Sequence, residues 1–437
     1  MRLSGRLSAA IEIISDFEAR RVPLKTALAD WARGARYAGA KDRAWISGLC
    51  LDILRNRQSL SAMMGDESPR AAVIACLHFE WAISLDDLQG ALCEEPHGAG
   101  ALTEPERVRL ETPNSLDDEP LHVRANFPEW LAPNIERVFG TDAVKIMSAF
   151  ADRADVDLRL NGLKTEPEKA LSALKSVKAK PIPLLKNTAR IEAPSPSEKA
   201  PAVTVIPAFN KGWVEVQDLG SQIAGAAAGE VKGAQVLDYC AGGGGKTLAL
   251  AAMMENTGQL YAYDRDPRRL KPLFHRAKRA GVRNLQIRSP AGDEGLDDLV
   301  GKMDVVFVDA PCTGAGTWRR HPDTKWRLTE QQLQRRMQEQ VIVLRQAAEF
   351  VKPGGRMIWV TCSFLMEENE DRLSEFLSAN TDFSFEPVID GIEASNLLSQ
   401  EGHGAIKPMI TPEGAIRLSP DKLRTDGFFI ATMRRAS

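Results

Sequence analysis

The sequence lacks a paired-cysteine signature. Its 437 residues contain six Cys (Cys50, Cys76, Cys93, Cys240, Cys312 and Cys362), with no CxxC pair among them and only six His to complement them as ligands. A zinc ribbon or finger is therefore not supported, and no metal is expected. Six Cys spread so widely do not make a disulfide scaffold, so reduced thiols and a cytoplasmic setting are expected. Long apolar runs are missing too. No uncharged stretch approaches the ~18 residues of a transmembrane helix, and no membrane association is expected. Glu12 and Asp16 fall where a signal peptide needs an apolar segment. Net charge is nearly absent at −3, so the total does not announce a nucleic-acid binder.

Local charge is less even. Residues 1–57 carry 11 Lys/Arg against 6 Asp/Glu, residues 80–130 carry 3 against 12, and residues 264–288 carry 9 against 2. A basic groove can sit inside a neutral total, because binding follows the local field. A solvated helix face is the plainer explanation of any single run.

Length and composition (43% apolar, 26% charged) predict a multi-domain globular chain. Residues 1 to about 93 read as helical: Leu7, Ile11, Ile14 and Phe17 recur at helical spacing, as do Trp45, Leu49 and Ile53, with Asp42 able to cap the latter helix. Residues 94–120 have the Glu/Asp/Pro/Gly composition of a linker. Residues 121–212 read as a small α+β module containing a strand at VDLRLNGLK. From about 213 strands and helices alternate. AQVLDYC (234–240), GQLYAYD (258–264), NLQIRS, MDVVFVDA (303–310) and GGRMIWVTCS (354–363) are the expected strands. That alternation predicts a doubly wound, Rossmann-like parallel sheet.

Three segments carry chemistry. In DYCAGGGGKTLALAA (238–252) a strand runs into glycines and then a helix. A phosphate-binding P-loop is excluded, because Cys240 stands where its first glycine belongs and Asp238 would repel a phosphate. A nucleoside-type ligand is the alternative, with Asp264, 26 residues past Asp238, accepting from ribose hydroxyls. A purely structural tight turn competes with it. In VFVDAPCTGAGTWRRHPDTKW (306–326) a carboxylate and a thiol sit at a strand's carboxyl end, followed by a basic arm flanked by tryptophans that suits phosphates and stacked bases. In VTCSFLMEENE (360–370) Cys362 ends the next strand. One such Cys is usually a small hydrophobe. Two at neighbouring strand ends point to chemistry, whereas Cys50, Cys76 and Cys93 read as core or surface residues of helices.

Together with AYDRDPRRL and DGFFIA (426–431), these segments resemble the RsmB/Sun family of RNA cytosine-5 methyltransferases, in the family's order over 213–437. PEWL (128–131) and DLRLNGLK are similar to its small RNA-binding module, and residues 1–112 (helices and acidic linker) to the NusB-like domain of the bacterial ribosomal-RNA branch. The resemblance implies S-adenosyl-L-methionine as cofactor and RNA as partner, with its N-terminal part implying RNA of the small ribosomal subunit and transfer RNA as the alternative; a monomer is expected. It implies that Cys240, Ala241, Gly242, Gly243, Gly244, Gly245 and Lys246 bind the cofactor, that Asp264 holds its ribose, and that Asp293 contacts the adenine amine. It further implies that Asp309 lies between donor and base, that Cys362 is the nucleophile, and that Cys312 aids product release. The family's usual turn is CAAPGGK, so this glycine-rich variant is expected to be looser and to bind the cofactor more weakly. Basic segments 264–288 and 319–336 are expected to track the RNA backbone. A non-catalytic RNA-binding or assembly protein on the same fold is the competing expectation, and a nucleotide hydrolase a more distant one.

Overall fold

The computed structural model describes residues 1–437 except 197, 199–200 and 291–294. The chain forms two compact units. One comprises Met1–Arg153, a short stretch from Ala193, and Thr317–Glu330. The other holds most of the remaining residues.

The first unit is helical. Helices Leu3–Arg20, Leu24–Gly34, Ala40–Arg55, Arg57–Met64, Pro69–Ala75 and Leu85–Cys93 enclose a core including Leu7, Ile14, Ile46, Leu49, Ile53 and Val73. Ser68 and Ser84 cap the last two of these helices. Asp42 acts from inside its helix, not from the cap: it accepts from the Gly39 N–H at 3.3 Å and pairs with Arg6 at 2.7 Å. The acidic stretch expected to be a linker contains the helix Glu104–Glu111. A Thr103/Glu106 capping box starts it, Arg70 pairs with Glu106 at 2.6 Å, and Leu110 enters the core.

The segment Thr317–Glu330, far downstream in sequence, is part of this unit. Trp318 and Arg319 are buried. The Lys325 ammonium donates to the carbonyls of Arg55 (2.8 Å) and Asn126 (2.6 Å), and the Arg55 guanidinium donates to the Arg319 carbonyl at 2.7 Å. The Trp326 indole N–H donates to the Leu54 carbonyl at 2.7 Å. Burial therefore pushes Lys325 well below the ordinary lysine range. This corrects the expectation for the basic arm: Arg319, Lys325 and both tryptophans are committed to protein contacts and do not form an open RNA-facing surface.

The second unit has two sheets. The smaller has β1 (Val156–Leu160), β2 (Lys180–Pro181), β3 (Thr188–Ile191) and β4 (Val214–Val216) in the order β2-β3-β1-β4, all antiparallel. The module expected at 121–212 is thus divided. Residues 121–153 pack with the helical unit, where Arg153 pairs with Asp52 and Asn126 bonds Ser59. Residues from Ala154 belong with the large sheet, where Asn161 donates to the Ala280 carbonyl at 2.9 Å and Asp157 accepts from the Leu219 N–H at 2.9 Å.

The large sheet contains β5 (Gln235–Asp238), β6 (Gln259–Tyr263), β7 (Leu285–Arg288), β8 (Met303–Asp309), β9 (Val351–Thr361), β10 (Phe383–Glu386), β11 (Ile416–Leu418) and β12 (Phe428–Arg435). Its order is β10-β12-β9-β8-β5-β6-β7, with β11 on β12. The first five strands are parallel, as the alternation predicts, and β10–β12 add antiparallel pairings. Val305, Val306, Phe307 and Val308 are all buried, as expected for a central strand with both faces covered. Helices such as Gly245–Met253 and Glu330–Phe350 provide that cover. In helix Pro267–Ala280, Leu270, Leu273, Ala277 and Ala280 face inward, and Arg268, Arg269, Lys271, Lys278 and Phe274 are exposed. Arg276 and Arg279 instead pair with the buried Glu215, which corrects the expectation that every cation of 264–288 faces RNA. β5 has β6 on one side and β8 on the other, so strand order reverses there and opens a crevice at the carboxyl ends.

The role of Thr317–Glu330 in the helical unit is testable by urea unfolding of the full chain. Trp326→Phe, which keeps the ring and loses the donor, is expected to cost about 1–2 kcal/mol, and Trp326→Ala about 3 kcal/mol. Parent-like unfolding of both variants excludes a stabilising role for this segment.

Candidate active site

The carboxyl ends of four parallel strands supply the candidate site. β5 ends at Asp238 and passes into Cys240–Lys246, β6 is followed by Asp264, β8 ends at Asp309, and β9 is followed by Cys362. Asp309 lies opposite Val360 in the β8–β9 register. This places the Asp309-Ala310-Pro311-Cys312 and Thr361-Cys362-Ser363 segments side by side.

The glycine turn is pinned. The Ala241 N–H donates to the Tyr263 carbonyl, Gly244 N–H to the Ala241 carbonyl, and Gly242 N–H to Asp264 Oδ2, all at 2.9–3.0 Å. Arg276 donates to the Gly243 carbonyl. Gly242 and Gly244 have φ of +51° and +83°, and a Cβ on Gly244 would fall 2.2 Å from the Leu273 side chain. Glycine is therefore required at 244 both for conformation and for space. At Gly245 an added Cβ would meet nothing within 4 Å, so the turn leaves room beside its helix.

Asp264, buried, also accepts from the Asp266 N–H at 2.9 Å and pairs with Arg269 at 3.0 Å. The Arg269 side chain is 61% exposed, so it is the partner a ligand hydroxyl would exchange with. Asp238 accepts from the Thr247 hydroxyl at 2.6 Å, and its other oxygen is buried without a partner. Burial pushes Asp238 up from 3.8 to about 7, helped by the charges of Asp309 and Asp264 and opposed by the Thr247 hydrogen bond and Lys246. Asp238, Asp264 and Asp309 outnumber Lys246 and Arg269 here, which disfavours a phosphate and suits a cationic ligand such as a sulfonium. Pinned turn, open side and acidic field together fit S-adenosyl-L-methionine.

Lys246 Nζ donates to Asp309 Oδ2 at 2.7 Å and lies 5.3 Å from the centre of the Phe428 ring. Burial alone would lower its pKa, but the charge and hydrogen bond of Asp309, with Cys362 and Asp238 nearby, reverse the balance and raise it. The Cys312 and Cys362 sulfurs are 3.4 Å apart, and both residues are partly exposed. The hydrogen bond to Cys362 holds Cys312 well above the ordinary thiol range, and burial adds to this.

The structure thus brings together Cys240–Lys246, Asp264, Asp309, Cys312 and Cys362. Asp293 lies outside the described residues. Cys50 and Cys76 are buried in the helical core and Cys93 is exposed. Among the described residues no group of three or more His, Cys, Asp or Glu could hold a metal ion, and no helix is long and apolar enough to cross a membrane. Sequence reasoning passed over Glu368, which is fully buried and accepts from the N–H (2.7 Å) and hydroxyl (2.5 Å) of Thr313. It also passed over Gln340, which donates to the Pro311 carbonyl at 2.9 Å. Glu368 stands among the polar residues of MEENE and Gln340 among the polar residues of a long helix, and spacing does not distinguish either from a surface position.

The raised Asp238 carboxyl carries a pH signature. Its folded pKa exceeds its unfolded value of 3.8, so its stabilising contribution is full below that value and is lost as pH rises through about 7. Asp238→Asn is expected to lose less stability than the parent between about pH 5 and about pH 8 in denaturant titrations. Equal losses in the two proteins exclude titration of Asp238 in that window.

A family profile described as 16S rRNA methyltransferase RsmB/F matches residues 229–434. A Synechocystis sp. protein named probable ribosomal RNA small subunit methyltransferase B is 30% identical over 344 residues, covering 77% of this chain and 73% of that one. Ribosomal RNA small subunit methyltransferase B of Photorhabdus laumondii is 26% identical over 422 residues, covering 90% and 91%. A solved methyltransferase homolog protein from Pyrococcus horikoshii is similar at a TM-score of 0.57 and 27% identity, covering 72% of this chain and 97% of that one. With this sequence likeness and the fold it accompanies, the chain belongs to the RsmB/F family of 16S rRNA methyltransferases.

Proposed function

We propose that this protein transfers a methyl group from S-adenosyl-L-methionine to carbon 5 of a cytosine in small-subunit ribosomal RNA, through a covalent bond between Cys362 and the base. The observation that carries the reading is the pair of thiols 3.4 Å apart beside the Lys246–Asp309 ion pair. The cofactor, held by Cys240–Lys246, Asp264 and Asp309, supplies an electrophilic methyl group on a positively charged sulfur. Asp293 is assigned to its adenine amine by family resemblance.

Carbon 5 of cytosine is a weak nucleophile. Addition of the Cys362 sulfur to carbon 6 pushes electron density onto carbon 5 and makes it enamine-like. That addition requires a proton or hydrogen bond at ring nitrogen 3. The Lys246 ammonium, hydrogen-bonded to Asp309 at 2.7 Å, holds a proton next to the carboxylate assigned to that nitrogen. After carbon 5 is alkylated, its remaining hydrogen must leave as a proton before the Cys362–carbon bond can break. Cys312, its own proton first passed to solvent, is the base for that step: its thiolate takes the carbon-5 proton, the electron pair left behind restores the carbon 5–carbon 6 double bond, and Cys362 leaves as a thiolate. The 3.4 Å between the two sulfurs puts Cys312 beside the atom bonded to carbon 6.

The target base must leave its stack to reach this crevice. Helix Pro267–Ala280 supports an RNA-facing role, with exposed basic residues around Phe274, which is 63% exposed. So does Trp213, with the ammoniums of Lys169 and Lys211 at 5.0 and 4.8 Å from its ring centre. Such basic and aromatic combinations suit unpaired RNA. In this reading the small sheet is an RNA-binding module and the helical unit is NusB-like. The protein acts in the cytoplasm as a monomer and without a metal.

Methyl transfer from labelled cofactor to unmodified 16S ribosomal RNA, with nucleoside analysis, tests the proposal. The parent is expected to yield 5-methylcytidine and Cys362→Ala none above background. Cys312→Ala is expected to leave a protein–RNA adduct that survives denaturing electrophoresis. A different methylated nucleoside, or full activity in Cys362→Ala, overturns the covalent reading.

A further inference from the structure

The two thiols lie on different loops, and a buried carboxylate joins those loops. Glu368 sits in the turn Met366–Glu368, six residues beyond Cys362, and is fully buried. One of its oxygens accepts from the Thr313 N–H at 2.7 Å and the other from the Thr313 hydroxyl at 2.5 Å. The Ser363 hydroxyl is a further donor. Thr313 directly follows Cys312. On the other side of Cys312, the Pro311 carbonyl accepts from Gln340 at 2.9 Å, and the same Gln340 amide approaches Glu368 at 3.5 Å. The adjacent Asn369 fixes the Cys362 loop: it accepts from the Thr361 hydroxyl at 2.6 Å and donates to the Ser363 carbonyl at 2.9 Å. A carboxylate taken fully out of water is costly unless every lone pair is used. Here two of the donors it uses come from Thr313, next to Cys312, and another from Ser363, next to Cys362.

We propose that Glu368 is a positioning residue for product release: by clamping Thr313, its carboxylate holds the Cys312 thiol against Cys362. The inference rests on the release role assigned to Cys312 above. Glu368 does not touch the base. It acts through Cys312, so its loss slows the step in which Cys312 is the base more than the step in which Cys362 adds.

Glu368→Gln keeps the volume and one acceptor oxygen, but turns an amide N–H2 toward a donor. Two readouts follow it in the full-length protein. The first needs no RNA. Diamide oxidises the two thiols to a disulfide, taking up two electrons and two protons to become its hydrazine, and peptide mapping follows the Cys312–Cys362 link. Closure from 3.4 Å is expected to be fast in the parent and ~10-fold or more slower in Glu368→Gln, as befits a lost charge-assisted contact. The second is the reaction with unmodified 16S ribosomal RNA. Glu368→Gln is expected to accumulate the protein–RNA adduct and lose ~100-fold in turnover, the scale of about 1 Å of misplacement, with a much smaller loss in first-turnover methyl transfer. Thr313→Val is expected to reproduce both effects, and Thr313→Ser to restore what Thr313→Val loses.

A merely structural Glu368 gives a different pattern. Adduct formation and turnover then fall together, no adduct accumulates, and the disulfide closes at the parent rate. That result overturns the proposal. Cys312→Ala runs alongside. Adduct in Cys312→Ala but not in Glu368→Gln overturns the Glu368 role alone, whereas no adduct in Cys312→Ala overturns the release role of Cys312 and this proposal with it.

Discussion

The reversal of strand order at β5 is the constraint on which the rest of this site depends. With β6 on one side and β8 on the other, the connections leaving β5 and β8 diverge, and the carboxyl ends between them stay open. The strands themselves offer little chemistry. Val305 to Val308 are sealed in the sheet, and after Asp304 at the strand's start the next carboxylate along β8 is Asp309, at its end. The same change from apolar to polar occurs at Asp238 on β5 and just past the ends of β6 and β9. Four segments distant in sequence therefore deliver polar side chains to one crevice because the apolar part of each strand stops at the same level of the sheet.

Electrostatics then selects among possible ligands. A lone buried ammonium at Lys246 would be costly, and its contact with Asp309 offsets that cost. Asp238 and Asp264 remain, one with an oxygen that finds no donor and the other partly covered by a mobile-length, exposed arginine side chain. An anion would have to be drawn into a field set by three carboxylates against the Lys246 ammonium and the Arg269 guanidinium. A sulfonium cation meets the opposite situation. The glycine turn supplies the shape for this ligand, since Gly244 leaves no space for a side chain against Leu273. Its hydrogen bonds to Asp264, Tyr263 and Arg276 give it anchors that its composition alone did not reveal.

Strands β5, β6, β8 and β9 were legible because each carries an apolar run closed by Asp or Cys, and the candidate-site segments because their Asp and Cys stand at those closures. What escaped reading depends on partners remote in sequence. DGFFIA was recognised as a motif, but its place as the antiparallel strand β12 beside β9 is a matter of pairing, not of periodicity. Arg319, Lys325 and Trp326 have the composition of an RNA-binding arm. Lys325 and Trp326 are held by the carbonyls of Leu54, Arg55 and Asn126, and the Arg319 carbonyl by the Arg55 guanidinium, which no local pattern announces. The helix Glu104–Glu111 is a different kind of miss: its Thr103/Glu106 capping box was present in the sequence, and acidic composition masked it because Leu110 is nearly alone in reaching the core. Asp293 rests on resemblance alone.

The loop carrying Cys312 shows how such a site can hold a reactive group still without making it inaccessible. Its backbone is tied at Pro311 by Gln340, at Thr313 by Glu368, and at Gly316, whose N–H donates to the Cys362 carbonyl at 2.9 Å and whose carbonyl accepts from the Gly427 N–H at 2.7 Å. At Gly316 a Cβ would fall 2.0 Å from the Gly427 carbonyl oxygen, so only glycine allows the chain to pass that close. Ties at 311, 313 and 316 leave the intervening backbone little freedom, yet all of them lie on the main chain or on neighbouring side chains. The Cys312 sulfur itself meets the Cys362 sulfur and the Gly314 backbone N–H. In the proposed reaction, where Cys312 acts as a base after Cys362 has bonded to carbon, the Gly314 N–H remains to favour the thiolate when the contact with a free Cys362 thiol is gone.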